Sequence, residues 1–232
     1  MRRAIYLIIT VIIAVAFTAT AQTSKEAFKN VKQQNKYSRE LLNTKPGKDA
    51  KKQAKKLKKE GWHESAGALS MEKQIDKSML MTAEVDNDGY PAWFVGEATT
   101  VGENADGARI QAIELAKLNI VQQLEQEIAM GIENAVGNQQ LSAQEAATAT
   151  KTVVNSRSVM KQKLASVRPV VVLYRTLPNK NTDVMVRIFY SRTDMKNQLR
   201  AVLREELLNE SKELGDKVDC IINGICPLPV KN

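Results

Sequence analysis

One histidine, two cysteines and a dense run of lysines are the residues in this 232-residue chain whose type or spacing could do chemistry. His63 is the only histidine, so a multi-histidine metal site is excluded and one imidazole remains for acid–base work. It stands between Trp62 and Glu64, and sequence adjacency alone does not make a dyad; we read it as ordinary structure. Asp86-Asn87-Asp88-Gly89 has the flavour of a calcium loop. It lacks the later spaced carboxylates and the closing glutamate, and reads as a turn. No Gly-x-Ser-x-Gly elbow, phosphate-binding loop or dinucleotide fingerprint is present. The expectation is therefore a protein that is not an enzyme and that needs no metal or cofactor.

The cysteines invite a different chemistry. Cys220-Ile221-Ile222-Asn223-Gly224-Ile225-Cys226 could fold as a hairpin. A two-residue Asn-Gly turn would put the two sulfurs on opposite faces. A three-residue loop with Gly224 left-handed would put them opposite each other, close enough to bridge. A small tail hairpin closed by a Cys220–Cys226 disulfide is expected. A redox-active pair would sit closer, as in Cys-x-x-Cys, at a helix N-terminus.

The lysines lie mostly in one stretch. Eight fall between Lys45 and Lys59, and the segment KDAKKQAKKLKKE reads as a helix with only Ala50, Ala54 and Leu57 on its apolar side. Lys51, Lys52, Lys55, Lys56, Lys58 and Lys59 could hold an anionic surface such as lipid headgroups, lipopolysaccharide or wall polymer. The alternative is a solvated face behind a thin packing stripe. Nucleic acid would also suit a formal charge of +8. The first residues argue against it.

Met1-Arg2-Arg3 is followed by an apolar run from Ala4 to Phe17, and Ala19-Thr20-Ala21 supplies a small-x-small site. This is the pattern of a secretory leader cleaved between Ala21 and Gln22. The run is short for a membrane span. The expected address is a bacterial periplasm or surface, where disulfides persist. No cysteine follows the leader, so a lipid anchor at that point is not available.

The remaining elements must position whatever these groups do. Asn104 to Val136 is one long helical stretch, with Ile113, Ile120, Leu124, Ile128, Ile132 and Val136 on one face and Ala108, Ala112, Ala116 and Ala129 as smooth patches. Leu69 to Leu80 is a shorter helix with Ser70 as its cap. Ala92 to Gly102 is a strand in which Gly96 marks a close approach by another backbone, expected to be a helix. Ser142 and Glu145 form a capping box for a helix running to about Leu164. Arg168–Arg175 and Thr182–Tyr190 form a hairpin around Leu177–Asn181. Thr193 caps a last helix whose stripe includes Met195, Leu199, Val202, Leu203, Leu207 and Leu208, ended by Gly215. The fold class is α+β: an antiparallel sheet of about three strands packed on two long helices, with helical extensions at both ends.

The Trp93-x-x-Gly96-x-Ala98 strand, the alanine-spaced helix with Leu118 and Ile120, and the pair Val170–Tyr174 and Val184–Tyr190 resemble the Lpp-twenty lipoprotein family of Gram-negative envelopes. A related fold occurs in the N-terminal part of a flagellar ring-assembly protein. The resemblance implies an outer-membrane-associated, non-enzymatic protein of a Gram-negative envelope, at the periplasm or the outer-membrane periphery. The partner we expect is an envelope protein, or an anionic envelope surface met through Lys45–Lys59. The family's acylated cysteine is absent here. The chain thus divides into a leader (1–21), a lysine-rich helical extension (22–82), the family-like α+β domain (83–213) and a tail (214–232).

Overall fold

The computed structural model describes residues 43–223, apart from Asp88 and Ser211. The chain divides into two units, Met1–Lys45 and Pro46–Asn232, and all the elements below lie in the second. The expected leader, its Ala21–Gln22 junction and the polar stretch after it fall outside the described residues. The fold is α+β, with eight helices and one three-stranded antiparallel sheet among the described residues.

In chain order the elements are α1 (Lys48–Lys59), α2 (Met71–Ala83), β1 (Trp93–Gly102), α3 (Ala105–Gly137), α4 (Ala143–Asn155), α5 (Arg157–Lys163), β2 (Val171–Thr176), β3 (Thr182–Ser191), α6 (Arg192–Glu210), α7 (Lys212–Asp216) and α8 (Val218–Asn223). The strand order is β1-β3-β2. The expected hairpin supplies two strands, and the Trp93 strand joins β3 from Trp93↔Ser191 to Gly102↔Thr182.

Strand alternation gives the sheet two faces. Phe94, Gly96, Ala98 and Thr100 share one face with Val184, Val186 and Ile188, and this face rests on α3. The first half of α3 presents Ala108, Ala112 and Ala116, four residues apart, so the two backbones come together. A Cβ on Gly96 would overlap the Ala116 carbonyl oxygen, and one on Gly102 would lie 3.2 Å from Ala108 Cβ. The helix foreseen at Gly96 is therefore α3. Its second half turns to Ile120, Leu124, Ile128 and Ile132, which fill the space toward α4 and α6. The stripe departs from expectation at its end. Ala135 is buried, whereas Val136 and Ala129 are exposed.

The second face carries Val171, Leu173 and Met185, and it is covered by α1 and α2 through Ala50, Ala54, Trp62, Met71 and Ile75. The two helices read as an extension ending at residue 82 thus share a core with β2 and belong to the same unit as the sheet. The α2 helix begins at Met71. Leu69 lies before it, and Leu69 and Leu80 are both exposed. Ser70 occupies the cap position without a side-chain cap bond.

Both outer strands are closed along part of their edges. On β1, the amides of Asn119 and Gln123 donate to the carbonyls of Glu97 and Val95 at 2.6 and 2.7 Å. On β2, the Val172 N–H donates to Gln74 Oε1 at 2.8 Å, and Tyr174 exchanges two backbone hydrogen bonds with His63. Side chains here satisfy ladder groups that an additional strand would use.

Three further expectations are corrected. The helix after Ser142 is interrupted at Ser156, a fully buried serine whose hydroxyl donates to the Thr152 carbonyl at 2.8 Å and lies 3.3 Å from Glu206. A serine bonded back to the preceding turn bends a helix. The last long helix starts at Arg192, and its first turn is held by Ser191, whose Oγ accepts from the Asp194 N–H, and not by Thr193. Gly215 sits inside α7, where an added Cβ would meet the Leu208 side chain at 2.5 Å; Leu208 itself is exposed.

The expected capping box at Ser142 and Glu145 is present in both directions. Lys217 adds an ion pair to Glu145 at 2.7 Å. The Lys217 ammonium, then the Ser142 N–H, pull the Glu145 carboxyl down to about 2. A depressed carboxylate contributes stability above its ordinary value near 4.5, and the contribution is lost as pH falls from there through the folded value. Glu145→Gln should therefore cost about 1 kcal/mol at neutral pH. It should also flatten the loss of stability between those two pH values, as read by denaturant melts in an acid series.

Candidate functional site

The lysine helix is the place where sequence and structure put like charges together. Gly47 precedes it and donates its N–H to Asp76 Oδ1 at 2.9 Å, tying the helix start to α2. The helix ends at Lys59 with Glu60 as its cap, and Gly61 follows with a φ of +89°. The Gly61 N–H donates to the Lys58 carbonyl and the Trp62 N–H to the Leu57 carbonyl, the paired closure that a left-handed glycine allows. Trp62 folds back into the core beneath α1. The Arg175 guanidinium lies 4.5 Å from its ring centre. After Trp62 the chain meets the edge of β2 through a single bridge at His63.

Ala50 and Ala54 are buried against α2, and Leu57 is half-buried. At about 100° per residue, Lys48, Lys52, Lys55 and Lys59 fall on a crest opposite this stripe, with Lys51 and Lys56 beside it. All six lysines expected from the sequence, Lys51, Lys52, Lys55, Lys56, Lys58 and Lys59, are exposed. Lys58 is set apart from the rest. It pairs with Glu72 of α2 at 2.7 Å, which raises its own affinity for a proton and lowers that of Glu72. No ion pair among the described residues involves the four crest lysines. Lys48 is not among the six that the sequence singles out, yet it shares their surface. Stepping back one helical turn from Lys52 reaches it, and that count alone would have found it.

The other candidates do not assemble into a reactive centre. His63 is exposed; its ring lies 6.3 Å from that of Tyr174, centre to centre, and its backbone serves the sheet edge. Among the described residues no group of three or more histidine, cysteine, aspartate or glutamate side chains could hold a metal ion. Asp86 closes its turn on itself, its Oδ1 accepting from the Tyr90 N–H at 2.9 Å, while Asp88 lies outside the described residues. A cleft of about 620 Å³ runs along α6 between Glu127, Asn134, Arg192, Lys196 and Arg200. Its charges pair internally: Glu127 takes both Arg192 and Lys196, and Arg200 takes Asp219 at 2.7 Å.

The tail departs from the hairpin expectation. Cys220 is on α8, where Val218, Ile221 and Ile222 enter the main core, so residues 221–223 are helical and cannot form a hairpin loop. The apolar triplet around Cys220 is a buried helix face. Cys220 is disulfide-bonded, and Cys226, the only other cysteine of the chain, lies outside the described residues.

Compared with protein-family models, curated proteins and solved structures, the chain matches none. Among the described residues no helix is long and apolar enough to cross a membrane.

Proposed function

We propose that the chain is an exported, non-enzymatic cell-envelope protein that works by contact, and that α1 is its contact surface. The observation that carries this reading is the crest of Lys48, Lys52, Lys55 and Lys59, turned away from the core and without ion-pair partners among the described residues. Elsewhere most bases of the fold are tied to carboxylates, as Arg157 is to Glu125, Arg187 to Glu97 and Lys217 to Glu145. A cluster left without such partners repels itself, and an anionic surface relieves that repulsion. The N-terminal leader pattern and the resemblance to the Lpp-twenty family support an envelope address, at the periplasmic or outer-membrane periphery. Attachment would be peripheral, with the lysines in place of the family's acyl anchor.

The test is retention. Wild-type chain should fractionate with the envelope at low salt and be released by high salt, because exposed charges are screened at short range there. A chain carrying K48Q, K52Q, K55Q and K59Q should be lost from the envelope fraction at any salt. Equal retention of the variant, or retention of the wild type that salt leaves untouched, would remove α1 from this role.

A further inference from the structure

Building on that reading, we infer that the surface α1 meets is a bilayer face bearing anionic phosphate headgroups, and that the helix lies flat on it without inserting. Four features of α1 point there. The first is shape. The helix packs on the rest of the fold through its Ala50, Ala54 and Leu57 side, with Lys58 tied to Glu72 at its flank, so the crest is convex and among the described residues no second wall faces it. A convex ridge can touch a plane with all four crest lysines at once, over about 16 Å of helix. A polymer or an acidic helix is better held between two walls.

The second feature is the type of base. α1 carries lysine and no arginine, although arginines are used at Arg175, Arg187 and Arg192 to grip single carboxylates. Lysine is a point charge on a flexible stem, suited to many undirected contacts with laterally mobile phosphates. The third is the border of the crest. Asp49 and Glu60 lie along one flank and Glu72 holds Lys58 on the other, so the positive strip is one helix wide. The fourth is the fate of the apolar groups. Ala50, Ala54 and Trp62 are buried and Leu57 is half-buried, which leaves α1 itself no apolar group to put into a hydrocarbon layer. Attachment of this kind is electrostatic throughout.

The experiment is co-sedimentation of the exported chain with vesicles of phosphatidylglycerol and phosphatidylcholine, and with vesicles of phosphatidylcholine alone. Binding is expected only to the first. Each crest Lys→Gln change should lower the partition coefficient about fivefold, and the quadruple glutamine variant should stay in the supernatant. The quadruple arginine variant keeps the charge and should still bind the anionic vesicles, which separates loss of charge from loss of fold in the glutamine variant. Tryptophan emission should not shift on binding, because Trp62 stays in the core and Trp93, the other tryptophan, lies on β1 and not on the crest. Gln and Lys have similar helix propensity, so the melting temperature of the glutamine variant serves as the control for folding. Binding to phosphatidylcholine alone, or binding that the glutamine changes leave intact, would overturn the proposal. If the chain ignores the anionic vesicles but binds soluble polyphosphate through the same lysines, the bilayer is the wrong partner and the contact role of α1 stands. If neither probe is bound and envelope retention is indifferent to the lysines, both readings fail.

Discussion

Gly96→Ala should destabilise the fold far more than Gly215→Ala, the other exchange that meets a close neighbour. The added Cβ would overlap the Ala116 carbonyl oxygen and stand 2.8 Å from its carbon and 3.0 Å from Ile120 Cγ1. Two of these three are backbone atoms in the middle of a 33-residue helix, and neither can step aside alone. Either α3 moves off the sheet or β1 moves off α3. The first opens the layer between Phe94, Val186, Ile188 and Ile120; the second breaks the β1–β3 ladder. The cost should reach at least about 3 kcal/mol, the upper end for overpacking. In a chain of this size that corresponds to roughly 10 °C in Tm. Gly215→Ala is the comparison. Its two closest neighbours are side-chain atoms of exposed Leu208, which can turn away, and the nearest backbone atom is Leu208 Cα at 3.2 Å, so a smaller loss is expected. Thermal melts of the two variants side by side check the contrast; equal losses would show that the Gly96 contact relaxes cheaply.

Arg175→Met should be the most damaging change on the opposite face. Arg175 and Asp183 are direct cross-strand partners in the β2–β3 ladder, bonded at 2.6 Å. The carboxylate is buried, while the guanidinium is about a third exposed and lies over Trp62. Among the described residues Asp183 Oδ1 and Arg175 Nε have no hydrogen-bond partner, so this pair leans on its single bond. Removing the arginine strands a buried carboxylate and uncovers the ring that closes the end of α1. A loss of about 3 kcal/mol is expected, the lower end for breaking a buried pair. Replacing both partners by apolar residues, R175M with D183V, should cost less than R175M alone, because no charge is then left without a partner. Denaturant titration of both variants decides this. A double variant worse than the single would place the value of the site in the ion pair itself.

The parts of the fold that were legible in the sequence are those written locally. The β2–β3 hairpin shows as two β-branched runs around Pro178-Asn179, the capping box as Ser142 and Glu145, and the close approach at Gly96 as a glycine inside a strand. The parts that were not legible depend on partners far along the chain. Nothing near Gln74 says that its side chain will close the edge of β2, 98 residues away. The cover that α1 and α2 give the second sheet face was hidden because two alanines and a leucine are a thin stripe for a packing helix. It suffices because Trp62, Met71 and Ile75 fill the same pocket of core. The tail misled for a related reason. Asn223-Gly224 is a strong turn signal, and Val218, Ile221 and Ile222 form a helix only because a groove beside α3 and α6 receives them. Of the candidate site, the lysines were visible as composition. Their division into an open crest and the bound Lys58 required knowing where Glu72 would lie.

The strand order has a consequence for how the chain comes into being. β1 meets β3 across a gap of 80 or more residues, and β2 reaches the sheet only through β3. A ribosome delivers β1 first and β3 nearly last. Until Ser191 has emerged, β1 has no strand beside it, and α1 and α2 have no finished sheet to cover. Closing so long a loop is a slow, late event. The molecule is thus assembled by its final third, and more than half of its length waits, with its apolar faces open, for one strand to arrive.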